Sequence, residues 1–104
     1  MASYKTPAEV LPHREPFLFV DEVIEVDERT IRAIRTFRKA EYFFEGHFPK
    51  DPIVPGVLLL EGMAQTFAYW SISRVDEKNQ TVYLTGIDKA HFRKPVRPGD
   101  TVEY

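Results

Sequence analysis

Cysteine is absent from this 104-residue chain, which excludes disulfide bonds, a thiolate nucleophile and a thiolate metal site. The three histidines, His13, His47 and His91, are widely scattered and show no spacing typical of a zinc site. The sequence therefore predicts no bound metal. The formal net charge of −2 argues against a general nucleic-acid-binding protein.

Long hydrophobic runs are missing as well. The longest, residues 53–60, contains a proline and a glycine and stops at Glu61, well short of the roughly 20 residues that a membrane span needs. No signal-peptide pattern precedes Pro7, so we expect a cytoplasmic protein without a membrane span. The chain does contain bulky core material, with 43% hydrophobic residues and eight Phe. This composition predicts one domain over residues 1–104.

Residues 46–65, GHFPKDPIVPGVLLLEGMAQ, join a segment rich in helix breakers to a strongly apolar one. Pro49, Pro52 and Pro55 exclude a helix or a central strand, so residues 46–55 are predicted to form a rigid, irregular loop. Residues 57–70 are apolar on almost every side, which predicts a helix surrounded by other parts of the structure. Glu61 lies inside this helix.

A carboxylate in an apolar helix is normally paired, held neutral, or placed at a pocket where its proton is used. No Lys or Arg lies one turn from Glu61, and Gln65, four residues on, can orient a carboxyl but cannot neutralise it. The alternative is a Glu on a solvent-facing strip of the helix. His47 on the preceding loop, taken alone, is more often structural than catalytic. Together His47 and Glu61 have the chemistry that acid–base catalysis requires.

The flanking segments predict an antiparallel sheet. A short helix is expected over residues 6–11, with Thr6 and Glu9 as a capping box. Strands are expected over residues 17–26 and 30–37, joined by a turn at residues 27–29. Ile31, Ala33 and Phe37 would face the core, whereas Ile34 and Arg35 break the alternation and indicate either a bulge or a strand with two half-covered faces.

The C-terminal part predicts further strands. Residues 73–80 are polar and indicate a surface connection, and residues 81–93 are predicted to form a long strand that bends at Gly86. A turn is expected at residues 98–100, followed by a strand from residue 101. A single apolar helix beside these strands indicates an α+β fold with one central helix.

Four segments, LPHREPFLFVDEV, GHFP, PGVLLLEGMAQ and FRKPVRPGD, closely resemble the (3R)-hydroxyacyl-acyl-carrier-protein dehydratases of type II fatty acid synthesis. The resemblance covers residues 10–100 and implies the hotdog fold, a curved antiparallel sheet wrapped around one central helix. Members of that family usually continue beyond the position of Tyr104. We therefore expect the sheet to lack its C-terminal strands.

The resemblance also implies a lyase that converts (3R)-hydroxyacyl-acyl-carrier-protein to the trans-2-enoyl product in fatty acid biosynthesis, with His47 and Glu61 as its catalytic pair. Relatives that also isomerise the product carry Asp at the helical acid position, so Glu61 favours the non-isomerising branch. Backbone amides at the start of the helix, at Gly56 and Val57, would face the thioester oxygen. Tyr83 and Phe92 would line the acyl tunnel; the alternative is that they are core residues of the strand predicted over residues 81–93. The expected substrate-binding residues are Gly56, Val57, Gln65, Tyr83 and Phe92.

Acyl carrier protein is the implied partner, and its phosphopantetheine arm carries the substrate, so no separate cofactor is expected. Four cations with no acidic residue among them could form a docking site for this acidic protein or only a solvated strand face: Lys89, Arg93, Lys94 and Arg97. The family also forms dimers whose active sites take His from one chain and Glu from the other, and hexamers built from three dimers. His13 and His91 are interpreted as structural.

Two other functions fit this architecture. A hotdog thioesterase would bind an acyl thioester at the start of the helix but would use a carboxylate to activate water. A non-catalytic acyl-thioester-binding subunit would bind the substrate without turnover. The absorbance of a conjugated enoyl thioester distinguishes the dehydratase from both.

Overall fold

The computed structural model describes residues 4–74 and 83–104. Its strands form one antiparallel sheet in the order β1-β2-β3, and α2 packs against α1 and β2. In chain order the elements are α1 (Pro7–Val10), β1 (Glu22–Val26), β2 (Ile31–Thr36), a 3₁₀ helix (Tyr42–Glu45), α2 (Gly56–Ser73) and β3 (Thr101–Glu103).

The predicted opening helix is confirmed as α1, although it ends at Val10. The backbone N–H of Thr6 donates to Oε1 of Glu9 at 2.7 Å, and the N–H of Glu9 donates back to the carbonyl of Thr6 at 3.0 Å. This reciprocal arrangement satisfies amides that the helix itself leaves unpaired. Val10 and Leu11 are then buried in one core cluster with residues of α2.

The predicted hairpin is confirmed, but β1 begins at Glu22 and not at residue 17. The pairing register shifts between Val23 and Glu25, which leaves Ile24 as the irregular position. The bulge predicted at Ile34 and Arg35 was therefore placed on the wrong strand. Arg35 pairs in register with β3, so the break in hydrophobic alternation reflects a buried charge and not an inserted residue.

Arg35 belongs to the inward face of β2, where Ala33, Arg35 and Phe37 are all fully buried. Its guanidinium donates to Asp21 at 3.1 Å and to Glu41 at 2.6 Å. It also lies 5.0 Å from the ring centroid of Phe37. Two carboxylates and an aromatic face thus offset the cost of desolvating this charge.

The predicted long helix is confirmed as α2, which begins directly after Pro55. Only one side of it is covered by the described residues. Gln65 and Tyr69 are buried, whereas Val57, Met63 and Phe67 are 68%, 46% and 57% exposed. The prediction of a helix covered on almost every side was therefore wrong for the part of the fold spanned by residues 4–74 and 83–104.

The chain just after β3 lies very close to α2 at Gly62. The Tyr104 hydroxyl, just after β3, occupies the place where a Cβ on Gly62 would lie. Burial raises the pKa of Tyr104 well above its usual range, so the hydroxyl stays neutral. That buried hydroxyl has no hydrogen-bond partner within the described residues.

The strand predicted over residues 81–93 is wrong for residues 83–93, the part that the structure describes. Thr81 and Val82 lie outside the described residues, as does most of the connection predicted at residues 73–80, while residues 83–93 form no strand and are all exposed. A strand needs a neighbour to complete its hydrogen bonds, and the described sheet offers none to this segment. The turn before β3 is confirmed, since Gly99 has φ +93° and the N–H of Asp100 donates to the carbonyl of Arg97 at 3.0 Å.

Candidate active site

Glu61 lies on the second turn of α2, and its side chain is 22% exposed. Its Oε2 accepts a hydrogen bond from Nε2 of Gln65 at 3.0 Å, one helical turn away. Nε2 of His13 lies 3.6 Å from the same oxygen. The Gln65 amide therefore orients the carboxyl at Oε2, and the His13 imidazole lies beside the same oxygen.

Gln65 is fixed by the chain that leads into β1. Its Oε1 accepts the N–H of Phe19 at 2.8 Å, and its Nε2 donates to the carbonyl of Phe17 at 3.0 Å. The side chain is 1% exposed. These contacts give the buried amide a complete set of protein partners.

Glu61 opens onto a cavity of about 500 Å³ between α2 and the segment that begins at Tyr83. The polar residues Glu61, His13 and Gln65 lie among mostly apolar ones. Apolar walls with a few convergent polar groups are typical of small-molecule sites. The other lining residues include Leu60, Met63, Phe67, Tyr83, Leu84 and Ile87.

His47 lies near the start of the irregular loop predicted over residues 46–55. In the structure this loop joins the 3₁₀ helix to α2. Its Nδ1 is 3.0 Å from the carbonyl oxygen of Ile53, and its ring stacks on Phe48 with centroids 4.3 Å apart. Because a carbonyl can only accept, a neutral ring in this contact carries its proton on Nδ1 and leaves Nε2 free to accept one. The His47–Phe48 peptide bond is cis.

No hydrogen bond or ion pair joins His47 to Glu61 within the described residues. The Glu61 cavity is lined by His13, and His47 is not among its lining residues in the described part of the chain. His13, interpreted from the sequence as structural, is thus the histidine beside the acid. The sequence signal for His13 was its position in the LPHREPFLFVDEV segment of the family resemblance. His13 lies 48 residues before Glu61, so the sequence alone does not indicate that the two are neighbours.

Phe92 and Gly56, two predicted substrate-binding residues, meet at the start of α2. A Cβ on Gly56 would lie 2.9 Å from ring atoms of Phe92, so the absent side chain makes room for the ring. Val57 is exposed beside them. Tyr83 is 79% exposed and Phe92 50% exposed, so the alternative that both are core aromatics is wrong for the described fold.

The four predicted docking cations are all exposed. The alternative that they form only a solvated strand face is wrong for this segment, because no strand forms there. Arg97 donates to Asp51 at 2.7 Å, which engages part of its charge. Lys89, Arg93 and Lys94 remain exposed cations of this segment.

Residues 4–74 and 83–104 hold no cluster of three His, Cys, Asp or Glu side chains that could bind a metal ion. Within the same residues, no helix is long and apolar enough to cross a membrane.

An antiparallel sheet packed on one central helix, with an acid on that helix facing an apolar cavity, defines an α+β fold of the hotdog class. The FabA-like domain model matches residues 11–104. The chain therefore belongs to the FabA-like family.

Curated relatives are similar over most of the chain. A 3-hydroxyacyl-[acyl-carrier-protein] dehydratase FabZ of Petrotoga mobilis is 53% identical over 95 residues, which cover 91% of this chain and 68% of the relative. The protein of the same name in Campylobacter lari is 49% identical over 100 residues, 91% of this chain and 68% of the relative. That of Caldicellulosiruptor saccharolyticus is 46% identical over 95 residues, 90% and 68% of the two chains.

Proposed function

We propose that this protein dehydrates (3R)-hydroxyacyl-acyl-carrier-protein to the trans-2-enoyl thioester in fatty acid biosynthesis. The observation that carries the proposal is the oriented carboxyl of Glu61 at an apolar cavity, in a chain that is similar to named dehydratases over about nine-tenths of its length. A general acid beside an apolar channel is what elimination from an acyl thioester requires.

The proposed chemistry uses two protein groups. Nε2 of His47 takes the proton from C2, the C2–H electron pair forms the C2=C3 double bond, and the C3–O bond breaks. Glu61 gives a proton to the departing hydroxyl, which leaves as water. His47 ends protonated and Glu61 ends ionised, so a proton must pass between them or through solvent before the next turnover. Amides of Gly56 and Val57, unpaired at the helix start, would stabilise charge on the thioester oxygen.

This reaction requires His47 and Glu61 to act on the same substrate, whereas His47 does not line the Glu61 cavity within the described residues. The proposal therefore includes a dimer in which each site takes His47 from one chain and Glu61 from the other. Exposed apolar residues of the cavity-lining segment, namely Tyr83, Leu84 and Ile87, support such contacts because isolated chains rarely leave large apolar side chains uncovered together. Assembly of three dimers into a hexamer is the further form expected from the resemblance.

Acyl carrier protein is the proposed carrier of the substrate, and no cofactor beyond its phosphopantetheine arm takes part. Lys89, Arg93 and Lys94 are the proposed docking cations, with Arg97 as a partly engaged neighbour. The non-isomerising outcome, inferred from Glu61 at the helical acid position, and the cytoplasmic location remain predictions.

The decisive measurement is incubation of the chain with a 3-hydroxyacyl thioester while the ultraviolet absorbance of the conjugated enoyl product is followed. Enoyl formation without thiol release supports the dehydratase. Thiol release without enoyl formation selects a thioesterase, and binding without either product selects a non-catalytic subunit.

Replacement of either catalytic group gives the first prediction. His47→Ala and Glu61→Gln are each expected to lower kcat by about 10²–10⁴-fold, the usual contribution of general acid–base catalysis. Both side chains are partly exposed, so we expect nearly unchanged melting temperatures. Near-full activity in either variant would show that its assigned role is wrong.

Mixing the two inactive variants tests the shared site. A dimer formed from one His47→Ala chain and one Glu61→Gln chain contains one site with both catalytic groups intact. Subunit exchange should therefore restore up to about half of the wild-type activity per exchanged dimer, as expected for an interface that builds the site from two copies. No recovery after verified exchange would place both groups in one chain.

A further inference from the structure

A buried ion pair joins β2 to the start of the 3₁₀ helix. Nη2 of Arg35, on β2, donates to both carboxylate oxygens of Glu41, at 2.8 and 2.6 Å. Oε2 of Glu41 also accepts the backbone N–H of Arg38 at 3.0 Å, and the N–H of Glu41 donates to the carbonyl of Arg38 at 3.2 Å. Glu41, the residue that directly precedes the 3₁₀ helix, is therefore held both by the middle strand of the sheet and by a closed turn.

The 3₁₀ helix connects Glu41 to His47 through backbone hydrogen bonds. The carbonyl of Glu41 accepts the N–H of Phe44 at 3.2 Å, and the carbonyl of Phe43 accepts the N–H of His47 at 3.0 Å. A 3₁₀ helix of four residues has poor hydrogen-bond geometry of its own, so contacts from outside must fix its position. The backbone of His47 is thus attached to a short segment that Glu41 joins to β2.

The same guanidinium contacts the aromatic cluster on which the 3₁₀ helix packs. It lies 5.4 Å from the ring centroid of Phe19 and 5.0 Å from that of Phe37. The ring of Phe43, in the 3₁₀ helix, packs against both of these rings, with centroids 6.5 and 6.2 Å apart. Arg35 therefore contacts the 3₁₀ helix by a polar route, through Glu41, and by an aromatic route, through Phe43.

Stability alone does not account for a buried charge at this position. Replacement of a buried ion pair by apolar residues of similar volume is often neutral or stabilising, so an apolar cluster would support the fold equally well. Charge-assisted hydrogen bonds differ from apolar packing because they are directional. The contacts of Glu41 with Arg35 and Arg38 therefore fix both the place and the rotation of the residue from which the 3₁₀ helix begins.

We infer that Arg35 and Glu41 are positioning residues for His47, because their ion pair fixes the 3₁₀ helix to which the backbone of His47 is attached. The inference rests on the proposed dehydratase function, in which His47 is the base, and deepens it. Neither side chain is among the residues that line the Glu61 cavity in the described part of the chain. Both act through the placement of His47 and not through contact with the substrate.

Glu41→Gln keeps the size of the side chain, removes its charge and replaces one acceptor oxygen by a donor. We expect kcat to fall by about 10- to 100-fold, because a misplacement of 1 Å can cost about 10²-fold, while KM stays within about twofold. An unchanged kcat would overturn the inference. So would a raised KM with unchanged kcat, because the effect would then be on substrate binding.

Asp21→Asn is the matched control, because Asp21 is the other carboxylate of the same guanidinium. It accepts from Arg35 at 3.1 Å and from the N–H of Thr36 at 2.8 Å, and a further ion pair with the exposed head group of Arg38, at 3.8 Å, is weak. The control thus removes one charge partner of Arg35 and leaves the contacts of Glu41 in place. It should keep nearly wild-type kcat, and an equal loss of kcat in both variants would overturn the inference in favour of general support of the fold.

A double-mutant cycle tests whether Glu41 acts through His47. In the His47→Ala background there is no base to position, so adding Glu41→Gln should lower the residual kcat by less than about twofold. A full second loss in that background would mean that Glu41 supports another group, and would overturn the inference. If Glu41→Gln does not fold, Glu41→Asp replaces it in both tests, because it keeps the charge but withdraws the carboxylate by one methylene.

Amide hydrogen exchange followed by NMR gives a readout independent of turnover. The N–H groups of Phe44 and His47 should exchange at least about tenfold faster in Glu41→Gln than in the wild type and in Asp21→Asn. The N–H of Ala33, which donates to the carbonyl of Tyr104 at 3.1 Å, is the reference within the sheet and should not change. Unchanged exchange at His47, or an equal increase at Ala33, would overturn the inference even in an active dehydratase. A wild-type chain that forms no enoyl product would instead overturn the proposed function, and the exchange pattern would still decide whether Glu41 fixes the position of His47.

Discussion

Arg35 is the residue whose environment departs most from an ordinary strand position. Its guanidinium is fully buried, and the two carboxylates that pair with it come from either side of β2 in the sequence, Asp21 and Glu41. The second of these is itself only 12% exposed. A buried ion pair adds little net stability, but removal of one partner leaves an uncompensated charge.

Glu41→Ala should therefore lower the free energy of unfolding by about 3 kcal/mol, measured by urea denaturation monitored by far-ultraviolet circular dichroism. Glu45→Ala is the matched control, because Glu45 is an exposed acid at the end of the 3₁₀ helix that begins directly after Glu41. The control should unfold at nearly the wild-type urea concentration. Equal behaviour of the two variants would show that Asp21 alone compensates the buried charge.

The sequence predicted some of the residues at the candidate site but not the contacts between them. An acid within an apolar helix, with Gln65 four residues on, was visible from helical spacing, because i and i+4 side chains share a face. The contact between His13 and Glu61 was not visible, since it depends on how the turn after α1 approaches α2. Arg35 was misread for a related reason: a charged residue on an inward strand position needs partners distant in sequence, and single-sequence patterns do not show them.

The β1–β2 hairpin is closed by Asp27. Its Oδ1 accepts the N–H groups of Arg29 and Thr30, both at 2.8 Å, and its backbone carbonyl accepts from Nε1 of Trp70 at 2.9 Å. The two backbone N–H donors in the loop hold the pKa of Asp27 below its usual range. The carboxylate of Asp27 therefore stabilises the hairpin loop internally, and its backbone carbonyl connects the loop to α2.

The lowered pKa of Asp27 in the folded state determines how the stability of the fold changes with pH. The ionised form of Asp27 stabilises the fold above its unfolded pKa, near 3.8, and this contribution is lost as pH falls through the lower folded value. Asp27→Asn should therefore lower the melting temperature at pH 7, and its melting temperature should fall less steeply than that of the wild type below about pH 4. Thermal melts across pH 2–7 measure both effects, and parallel curves for the two proteins would contradict the assignment.

Elements defined by local signals were predicted well. The capping box, the hairpin turn, Pro55 before α2 and the turn at Gly99 each have a short-range physical cause. Residues 83–93 were predicted wrongly because alternation and β-propensity describe only a tendency to pair. Whether a strand forms depends on a neighbouring edge, which lies outside the segment itself.

At the scale of the whole molecule, the exposed segment that begins at Tyr83 carries both apolar residues near the cavity and exposed cations further along. This arrangement supports a surface that receives an acidic carrier beside the entrance to the site. Arg97 is less suited to a test, because its reversal would also break the ion pair with Asp51.

Arg93→Glu combined with Lys94→Glu should lower kcat/KM for carrier-linked substrate by about tenfold at low ionic strength, through slower association. The loss should shrink as salt is raised, because screening weakens attraction between exposed charges. Turnover of the same acyl group on a small pantetheine thioester should hardly change. Equal losses on both substrates would assign these residues to the fold or the active site.

Lys5→Glu tests the effect of a charge reversal away from this segment, with half the change in net charge of the double variant. Lys5 is exposed, and its backbone carbonyl, not its ammonium, is the group that accepts the hydrogen bond from Tyr69 at 2.7 Å. The variant should retain wild-type activity on both substrates at every salt concentration. A loss on carrier-linked substrate similar to that of the double reversal would indicate a long-range charge effect without a defined docking surface.

The close approach of Tyr104 to Gly62 links two positions that lie 42 residues apart in the sequence. The space between helix and sheet at this point holds one large side chain, so an aromatic ring from the strand side requires glycine on the helix. Across related sequences, the two positions should consequently vary together: where the helix carries alanine or serine, the strand position should carry a smaller residue. The volume shared by the pair, and not the identity of either residue, is what natural selection is expected to preserve there.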